Sequence, residues 1–448
     1  MNATNRPEAA PARAIVASLS DPALRDLASE VLARNPDLAA AREHARAAEE
    51  EVPQARSLPD PMAGLTAFLL TPETRVGPQQ AMVALSQKFP WFGKLGLREQ
   101  AALYAAASAR ADVAARELTL VTETRRLAYE LAFLDTWDEI LTTDRSILER
   151  YEELARTRYA AGVGLEQAVI KLQAEITKVD SRKLQLADRR AATSSALNAL
   201  RDRSPVAELP KIGLPKAVAP SDGFGARLES LETRAEALRP EVASAEAEVS
   251  RAGAQVELAE KDYRPDVSLG LTYTLVGQRE DDPGRAMPPP DNGRDVFGLT
   301  ASINLPIHRD RLDAAVEQAA RRESAARAGR RAVTTSIDRS LGELTQRLEL
   351  TYRQLRLFED VLGIQAEESL SSAEDAYSAG SASALDLLDA ERVLLDVRTS
   401  TARARADYAI TLALLEGAVG EPLDPGRPPG GSPPSATPEP VSSRGNVK

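Results

Sequence analysis

An internal duplication is the feature that most limits how this chain can fold, because it divides the sequence into two similar halves. The segment YAAGVGLEQAVIKLQAE begins at Tyr159 and returns as YSAGSASALDLLDAER from Tyr377, which is 218 residues further on. REQAA, which begins at Arg98, returns with the same spacing as VEQAA from Val316. Each half is predicted to run helix, strand, loop, strand, hinge, long helix, turn and long helix.

The two halves set the predicted domain boundaries. The first repeat spans residues 21–210 and the second spans 224–422, with a Pro-rich linker, 211–223, between them. Residues 1–20 are expected to be a flexible N-terminal segment. Residues 423–448 are rich in Pro and Ser and are expected to be disordered, because such a composition buries too little apolar surface to fold.

Four short segments alternate apolar residues with small or polar ones, which is the period-two pattern of a β-strand. The clearest are DVSLGLTYTL and VFGLTASINL in the second half, separated by a loop, Val276–Gly293, that is rich in Pro and Gly. The first half carries the pattern near Ala63–Leu70 and Ala81–Lys88. Strands of about ten residues can span a membrane when tilted, but the pattern also fits a half-buried sheet of a globular domain. Four strands alone cannot close into a barrel.

Leucine recurs every seven residues in both predicted long helices, which indicates coiled-coil packing. The first helix is expected from Lys94 to about Tyr159, a length of about 100 Å. A turn at Gly162–Gly164 then returns the chain antiparallel, and the second half repeats this arrangement around Gly380. A soluble coiled-coil scaffold without a pore is the alternative that this pattern leaves open.

The composition excludes several classes of function. A net charge of −11 at pH 7 disfavours nucleic acid as a partner. There is no cysteine, and the two histidines, His44 and His308, are far apart and are expected on the surface. We find no nucleophile–base pair, phosphate-binding glycine loop or metal-ligand cluster, so neither an enzyme nor a cofactor-binding protein is predicted. The sequence shows no run of 18 apolar residues, so no transmembrane helix is expected, and its first 20 residues contain no continuous apolar segment of the length expected of a signal peptide.

The region from about residue 21 to 422 resembles the outer membrane efflux protein family, the TolC-like exit ducts of Gram-negative bacteria. The resemblance rests on the duplicated order of elements and on SQKFPWFGKLGLREQAA, YAAGVGLEQ and YSAGSASALDLLDAE. PDPM, VGPQQ and SQKFPWFGKL are most similar to the branch of the family that serves heavy-metal and cation efflux.

The resemblance implies a mainly α-helical fold with a small membrane β-barrel. Three copies would form a homotrimer, in which a twelve-stranded β-barrel in contact with outer membrane lipids stands on a twelve-helix tunnel that crosses the periplasm. The implied function is a passive conduit for metal cations or small toxic compounds. Its implied partners are a periplasmic adaptor (membrane fusion) protein and an inner-membrane transporter of the resistance-nodulation-division type. An exit duct for secreted proteins or peptides is the alternative within the same family.

By this resemblance, the aromatic segment of the first half marks the point where a membrane strand turns into a tunnel helix. Pro90 has no N–H to donate and would end the strand, and Gly93 permits a sharp bend. Lys94 is expected at the lipid headgroups, beside aromatic side chains suited to the membrane interface. The predicted hinge residues are Phe89, Pro90, Trp91, Phe92, Gly93, Lys94 and, in the second half, Pro306.

The two turns between the long helices are similar to the hairpin tips that mesh with the adaptor in this family. Small residues there would let another helical hairpin approach closely, although a plain helix–helix turn also requires glycine. The predicted docking residues are Gly162, Val163, Gly164 and Leu165 in the first tip and Gly380, Ser381, Ala382 and Ser383 in the second.

Asp386 and Asp389 follow the second tip and, being three residues apart, share one helix face. In the resembling family, acidic residues at these motif positions face the pore at its periplasmic end. Threefold symmetry would then give two stacked rings of carboxylates, which attract cations and raise one another's pKa. The matching positions of the first half hold Ala168 and Lys171. The alternative is a solvated helix face that pairs with Arg392.

Overall fold

The computed structural model describes residues 11–219 and 224–423, without the side chains of residues 224–227. The tail predicted to be disordered lies outside the described residues from position 424 onward, as do residues 1–10 and the end of the predicted linker. The expectation of a flexible N-terminal segment is corrected for its second half. Pro11–Ser18 forms a helix, because Ala12 and Ile15 are buried against the rest of the chain.

The observed elements follow the predicted order in each half. The first-half helices are α1 (Pro11–Ser18), α2 (Pro22–Arg34), α3 (Pro36–Arg56), α4 (Lys94–Ala160) and α5 (Glu166–Leu200). The second-half helices are α6 (Phe224–Leu238), α7 (Pro240–Lys261), α8 (Asp282–Ala286), α9 (Arg309–Leu357), α10 (Gly363–Ser378) and α11 (Ala384–Val419). The strands are β1 (Met62–Ala67), β2 (Glu73–Thr74), β3 (Gly77–Phe89), β4 (Val267–Val276) and β5 (Val296–Ile303).

The chain divides into two compact units, and each takes segments from both halves of the sequence. One unit combines the described residues before Asp37 with Glu117–Arg239 and with the described residues from Ser336 onward. The other combines Asp37–Arg116 with Pro240–Thr335 and contains all the strands of the described residues. The sequence repeats are therefore not the compact units of the fold.

The long helix predicted from Lys94 is confirmed as α4, which has 67 residues. Its heptad leucines are buried, as coiled-coil packing predicts. The second long helix follows the same rule as far as the end of α9. The buried heptad leucines are Leu120, Leu127, Leu134, Leu141 and Leu148 in α4 and Leu341, Leu348 and Leu355 in α9.

One π-helical turn, Phe358–Leu362, interrupts the second long helix, and the sequence analysis did not predict it. Leu355 is buried, whereas the next heptad leucine, Leu362, is only half-buried. Beyond the turn, Leu370 and Tyr377 are buried, one residue later than the heptad spacing requires. The π turn thus takes up one extra residue and returns the apolar stripe to the core.

The strands β1, β3, β4 and β5 form an antiparallel sheet in that order, and the short β2 pairs with the start of β3. The four predicted strands are therefore present. β1 is shorter than expected, because it ends at Ala67 and leaves Leu69 and Leu70 exposed beyond it. The predicted loop Val276–Gly293 contains the five-residue helix α8, which Asp281 caps.

One face of this sheet is apolar and exposed in the single chain. The register aligns Leu65 with Val83, Val83 with Tyr273, and Tyr273 with Phe297, so these side chains form one row. Their exposed fractions run from 45% for Tyr273 to 75% for Leu65. Within the described residues, β1 and β5 each pair on one side only. The opposite face is mostly small or polar, with Gly64, Thr66, Ser86, Ser268, Gly270, Thr272, Gly298, Thr300 and Ser302.

Candidate functional site

Two nearly identical turns end the helical hairpins. After α4, Gly162 has φ +76°, and after α10, Gly380 has φ +79°. The amide of Gly162 donates to the carbonyl of Tyr159 at 2.9 Å, and the amide of Gly380 donates to the carbonyl of Tyr377 at 3.0 Å. A glycine in this left-handed conformation closes a helix in the Schellman motif. The turn itself therefore accounts for both glycines.

The two tips lie side by side in the same compact unit. The guanidinium of Arg158 lies 4.1 Å from the ring centroid of Tyr377, and its Nη2 donates to the carbonyl of Ser378 at 3.3 Å. A cavity of about 640 Å³ opens between the tips, with Ala168 and Leu385 among its lining residues. The structure thus brings the two predicted docking segments together into one surface.

The first tip supplies the exposed apolar side chains of this surface. Val163 is 78% exposed and Leu165 is 68% exposed. Gly164 has a different role, because a Cβ atom there would lie 2.9 Å from the backbone nitrogen of Tyr159. Any side chain at Gly164 would therefore distort the turn before it met a partner protein.

The serines of the second tip are engaged within the turn. The hydroxyl of Ser381 donates to the carbonyl of Ala376 at 3.0 Å. Ser383 is the N-cap of α11 and forms a capping box with Asp386. The amide and the hydroxyl of Ser383 both donate to Asp386 Oδ2, at 2.9 and 2.8 Å. The sequence carried this signal, because serine followed three residues later by an acidic residue before an apolar run is the motif of a capping box.

The cap fixes the charge of Asp386. The hydrogen bonds from the backbone and the hydroxyl of Ser383 hold the pKa of Asp386 below its usual value. The carboxylate is exposed in the single chain. Asp386 is therefore an ionised group at the start of α11, held in a defined position.

Asp389 belongs to a chain of charged groups. Its carboxylate accepts a hydrogen bond from Arg392 Nη1 at 3.3 Å, and Arg392 Nη2 donates to Glu175 Oε2 at 2.5 Å. Lys178 also donates to Glu175, at 3.1 Å. The pairing with Arg392 that the sequence suggested is thus present, yet the side chain of Asp389 remains 74% exposed.

In the structure, a strand gives way to a helix at the segment predicted as the hinge. β3 ends at Phe89 and α4 begins at Lys94. Gly93 has φ +88°, a conformation that glycine adopts without strain. The rings of Trp91 and Phe92 meet edge to face with centroids 5.9 Å apart, and Phe92 is 86% exposed.

The two hinge prolines occupy equivalent places. Pro90 directly follows β3 in the first half. Pro306 lies between the end of β5 at Ile303 and the start of α9 at Arg309. Each proline therefore lies where a strand has ended and a helix has not yet begun, as its missing N–H predicts.

The expected position of Lys94 at the lipid headgroups is wrong, because the structure buries it. Its side chain is only 4% exposed. Nζ lies 2.9 Å from Asp266 Oδ1 and 3.0 Å from Asp262 Oδ1, and it donates to the carbonyl of Arg264 at 3.4 Å. A buried ammonium needs such partners, and the connection from α7 to β4 supplies them.

Asp266 is the junction residue that the sequence analysis missed. It lies directly before β4 and accepts hydrogen bonds from Lys94 Nζ and from the amide of Trp91 at 3.0 Å. Lys88 Nζ lies 3.1 Å from its other oxygen. Burial alone raises the pKa of Asp266, but the hydrogen bonds from Lys94, Trp91 and Lys88 outweigh it and lower the pKa to about 2. One carboxylate thus joins the junction of the first half to the β4 strand of the second.

The remaining predicted features concern metals and histidines. His44 and His308 are both exposed, as expected of surface residues. Among the residues that the structure describes, no group of three or more His, Asp or Glu side chains is placed to hold a metal ion. No helix in the described ranges is both long enough and apolar enough to cross a membrane.

The fold is that of outer membrane channel proteins. Its solved structural relatives include VceC from Vibrio cholerae, with a TM-score of 0.73 and 22% identity over 90% of this chain and 97% of that one. They also include CusC, for which conformational changes during folding and transmembrane channel formation are described. The CusC comparison has a TM-score of 0.74 and 17% identity over 90% of this chain and 93% of that one.

The sequence comparisons identify the family. The outer membrane protein OpmQ of Pseudomonas aeruginosa, described as acting in pyoverdine export, is 24% identical over 347 residues, which is 76% of this chain and 68% of OpmQ. The family model for outer membrane efflux proteins matches residues 27–202 and 231–421. The chain belongs to the outer membrane efflux protein family, whose members are channels and not enzymes.

Proposed function

We propose that this chain is the outer-membrane exit duct of a tripartite efflux system in a Gram-negative bacterium. The sheet is the observation that carries the proposal. Its apolar face is exposed, and its outer strands, β1 and β5, lack a second neighbour within the described residues. Such a sheet requires partners at both edges and an apolar environment for its face.

A homotrimer in the outer membrane meets both requirements. β1 of one copy would pair with β5 of the next, so that four strands from each copy close a twelve-stranded barrel. The apolar row through Leu65, Val83, Tyr273 and Phe297 would then face lipid, and the small, polar face would line the channel. The hairpins α4–α5 and α10–α11 of three copies would form a twelve-helix tunnel in the periplasm.

A channel is passive, so it needs partners that connect it to the inner membrane and supply the energy for export. A periplasmic adaptor would dock on the hairpin tips, and an inner-membrane transporter of the resistance-nodulation-division type would supply the energy. The proposed cargo is metal cations or small toxic compounds, which the resemblance of PDPM, VGPQQ and SQKFPWFGKL to the metal-efflux branch supports. The description of OpmQ in pyoverdine export favours a small organic cargo as the second choice. A duct for secreted proteins or peptides would use the same geometry.

The trimer is tested on the full chain purified in detergent. We expect a protein mass about three times the 48.1 kDa of one chain, measured by light scattering with the detergent contribution subtracted. Because the chain has no cysteine, cysteine pairs placed along β1 and β5 should link neighbouring copies, whereas each single cysteine should not. A monomer that stays in solution without detergent would support the coiled-coil scaffold and contradict the channel.

We further propose that Asp386 and Asp389 line the periplasmic constriction as two rings of three carboxylates. Both are exposed and lie within the first two turns of α11. Asp386 is held ionised by its cap, and Asp389 keeps most of its surface free beside Arg392. Rings of fixed carboxylates attract cations to a pore.

We expect the double variant Asp386→Asn with Asp389→Asn to lose most of its preference for cations in planar bilayers. Asparagine can still accept the hydrogen bonds of Ser383, so the start of α11 should be preserved. Asp188→Asn, an exposed carboxylate on α5, is the matched control and should keep the selectivity of the parent. Unchanged selectivity and unchanged block by multivalent cations in the double variant would remove these residues from the constriction.

A further inference from the structure

Two carboxyl groups meet inside the bundle of hairpins, and one of them, Glu391, lies two residues after the proposed gating residue Asp389 on α11. Asp144 of α4 is 4% exposed and Glu391 of α11 is 2% exposed. Both line a cavity of about 180 Å³ together with Thr136 and Leu395. Asp144 Oδ2 and Glu391 Oε2 are buried, and neither accepts a hydrogen bond from any described N–H or O–H donor. One oxygen of each carboxyl therefore lacks the donor that a buried carboxylate normally has.

The cations near this pair, Arg398 and Arg182, act on it through their charge and not through a salt bridge. Arg398 of α11 lines the same cavity, but its ion pair is with Glu367, at 3.4 Å. Arg182 of α5 acts on Asp144 only through its charge. Within the described ranges, neither Asp144 nor Glu391 forms a salt bridge.

Further acidic groups surround the pair on every neighbouring helix. Glu139 of α4 lines the cavity, and the charge of Glu175 of α5 acts on Asp144. Glu374 of α10 accepts a hydrogen bond from the hydroxyl of Tyr151 at 2.5 Å, and its charge acts on Glu391. The surroundings thus add negative charge to a site that already holds two carboxyls.

Two touching carboxylates cannot both be ionised in such a place without a large cost. One proton between them removes half of the charge and lets one carboxyl donate a single hydrogen bond to the other. Burial, the charge of Asp144 and the hydrogen bond to Asp144 together raise the pKa of Glu391 to about 7. The proton would therefore be held well above the pH at which an exposed glutamic acid loses it.

We propose that Asp144 and Glu391 share one proton, and that this proton fastens α4 of the first hairpin to α11 of the second. Between the ordinary glutamate pKa of 4.5 and about 7, the closed bundle holds a proton that the separated helices release. The contact between α4 and α11 therefore loses stability as the pH rises through this window. Above the window its stability no longer depends on this proton. The outer membrane efflux duct would accordingly contain a contact between its two hairpins that loosens as the pH rises. Both residues lie within one compact unit of the fold.

The test uses the absence of native cysteine. In the full-length protein in detergent, Leu395→Cys places a thiol beside the cavity. Its rate of reaction with a maleimide is measured at each pH in the folded protein and in the urea-unfolded chain. The protection of the thiol is the unfolded rate divided by the folded rate. We expect the protection of this thiol to fall on the order of a hundredfold from about pH 4.5 to about pH 8. In the Glu391→Gln background, protection should be nearly independent of pH, because glutamine donates to Asp144 at every pH. Leu118→Cys, which is buried in a separate core cluster, is the control and should keep its protection.

Three results would overturn the proposal. The first is the same loss of protection in the Glu391→Gln background, and the second is a parallel loss at Leu118→Cys, which would mean general loosening. The third is protection at high pH that returns on adding Mg²⁺ or Ca²⁺, which would make the pair a cation site. Should Glu391→Gln fail to fold, Asp144→Asn tests the other partner in the same way. Independently, the infrared band of a protonated carboxyl at about neutral pH should be present in the parent and lost in both variants.

Discussion

Val163→Asp combined with Leu165→Asp is expected to reduce export through the duct at least about tenfold while leaving the trimer intact. The two side chains are 78% and 68% exposed at the first tip, so charging them changes the surface and not the core. The Schellman turn depends on backbone hydrogen bonds and on Gly162, which the variant keeps. Two buried carboxylates at a docking surface would cost an adaptor about 2 kcal/mol or more of binding free energy, because apolar anchors at interface centres carry that much.

Export is measured as the fall in ethidium accumulation and the gain in tolerance to divalent metal ions, in cells that lack their own duct. Leu184→Asp is the matched control, because this α5 leucine is 76% exposed and lies outside the tips. It should export like the parent. Equal export by the tip variant and the Leu184→Asp control, with both proteins trimeric, would show that the first tip does not dock the adaptor.

Gly164 is a poorer place for such a test, although the sequence suggests it. A Cβ atom at Gly164 would lie 2.9 Å from the backbone nitrogen of Tyr159 and 3.0 Å from the carbonyl carbon of Arg158. A bulky side chain there would reshape the turn, and a loss of export would have two explanations. Changes at Val163 avoid this ambiguity, because that side chain is largely exposed.

Local patterns predicted the parts of the fold that depend on local rules. Heptad leucines placed α4 and α9, alternation placed the strands, and Pro90 and Gly93 placed the junction between β3 and α4. Each of these signals depends on the periodicity or backbone geometry of a few neighbouring residues. The capping box of Ser383 and Asp386 is also a local signal, since its residues are three apart in sequence, but the sequence analysis did not predict it.

The parts that were missed depend on long-range contacts or on a shift of one residue. Lys94 was placed at the membrane surface by its neighbours, but its position is set by Asp266, which is 172 residues away. No local pattern identifies that pairing. The π turn at Phe358–Leu362 was missed because the leucine spacing continues through it to Leu362, while the buried stripe moves on by one residue.

Asp266→Ala is expected to destabilise the sheet unit by about 3–5 kcal/mol, because it removes one partner of a buried ion pair and leaves the other charge behind. Lys94 Nζ would keep only Asp262, whose side chain is 49% exposed, and the carbonyl of Arg264. The amide of Trp91 would also lose its acceptor. The junction between β3 and α4 should therefore loosen together with the start of β4.

The expected effect is measured as the shift in unfolding of the detergent-solubilised protein in urea, and as the tryptic cleavage rate near Lys94. Arg110→Ala is the control, because it breaks an ion pair with Glu49 whose side chains are 64% and 41% exposed. Exposed pairs contribute about 0–1 kcal/mol, so this variant should unfold close to the parent. The double variant Lys94→Met with Asp266→Ala should recover much of the loss, since no charge is then left buried without a partner. The destabilisation of the double variant is compared with the summed destabilisation of Asp266→Ala and Lys94→Met. If the two values are equal, the two residues act independently, and the junction is held by packing and not by this ion pair.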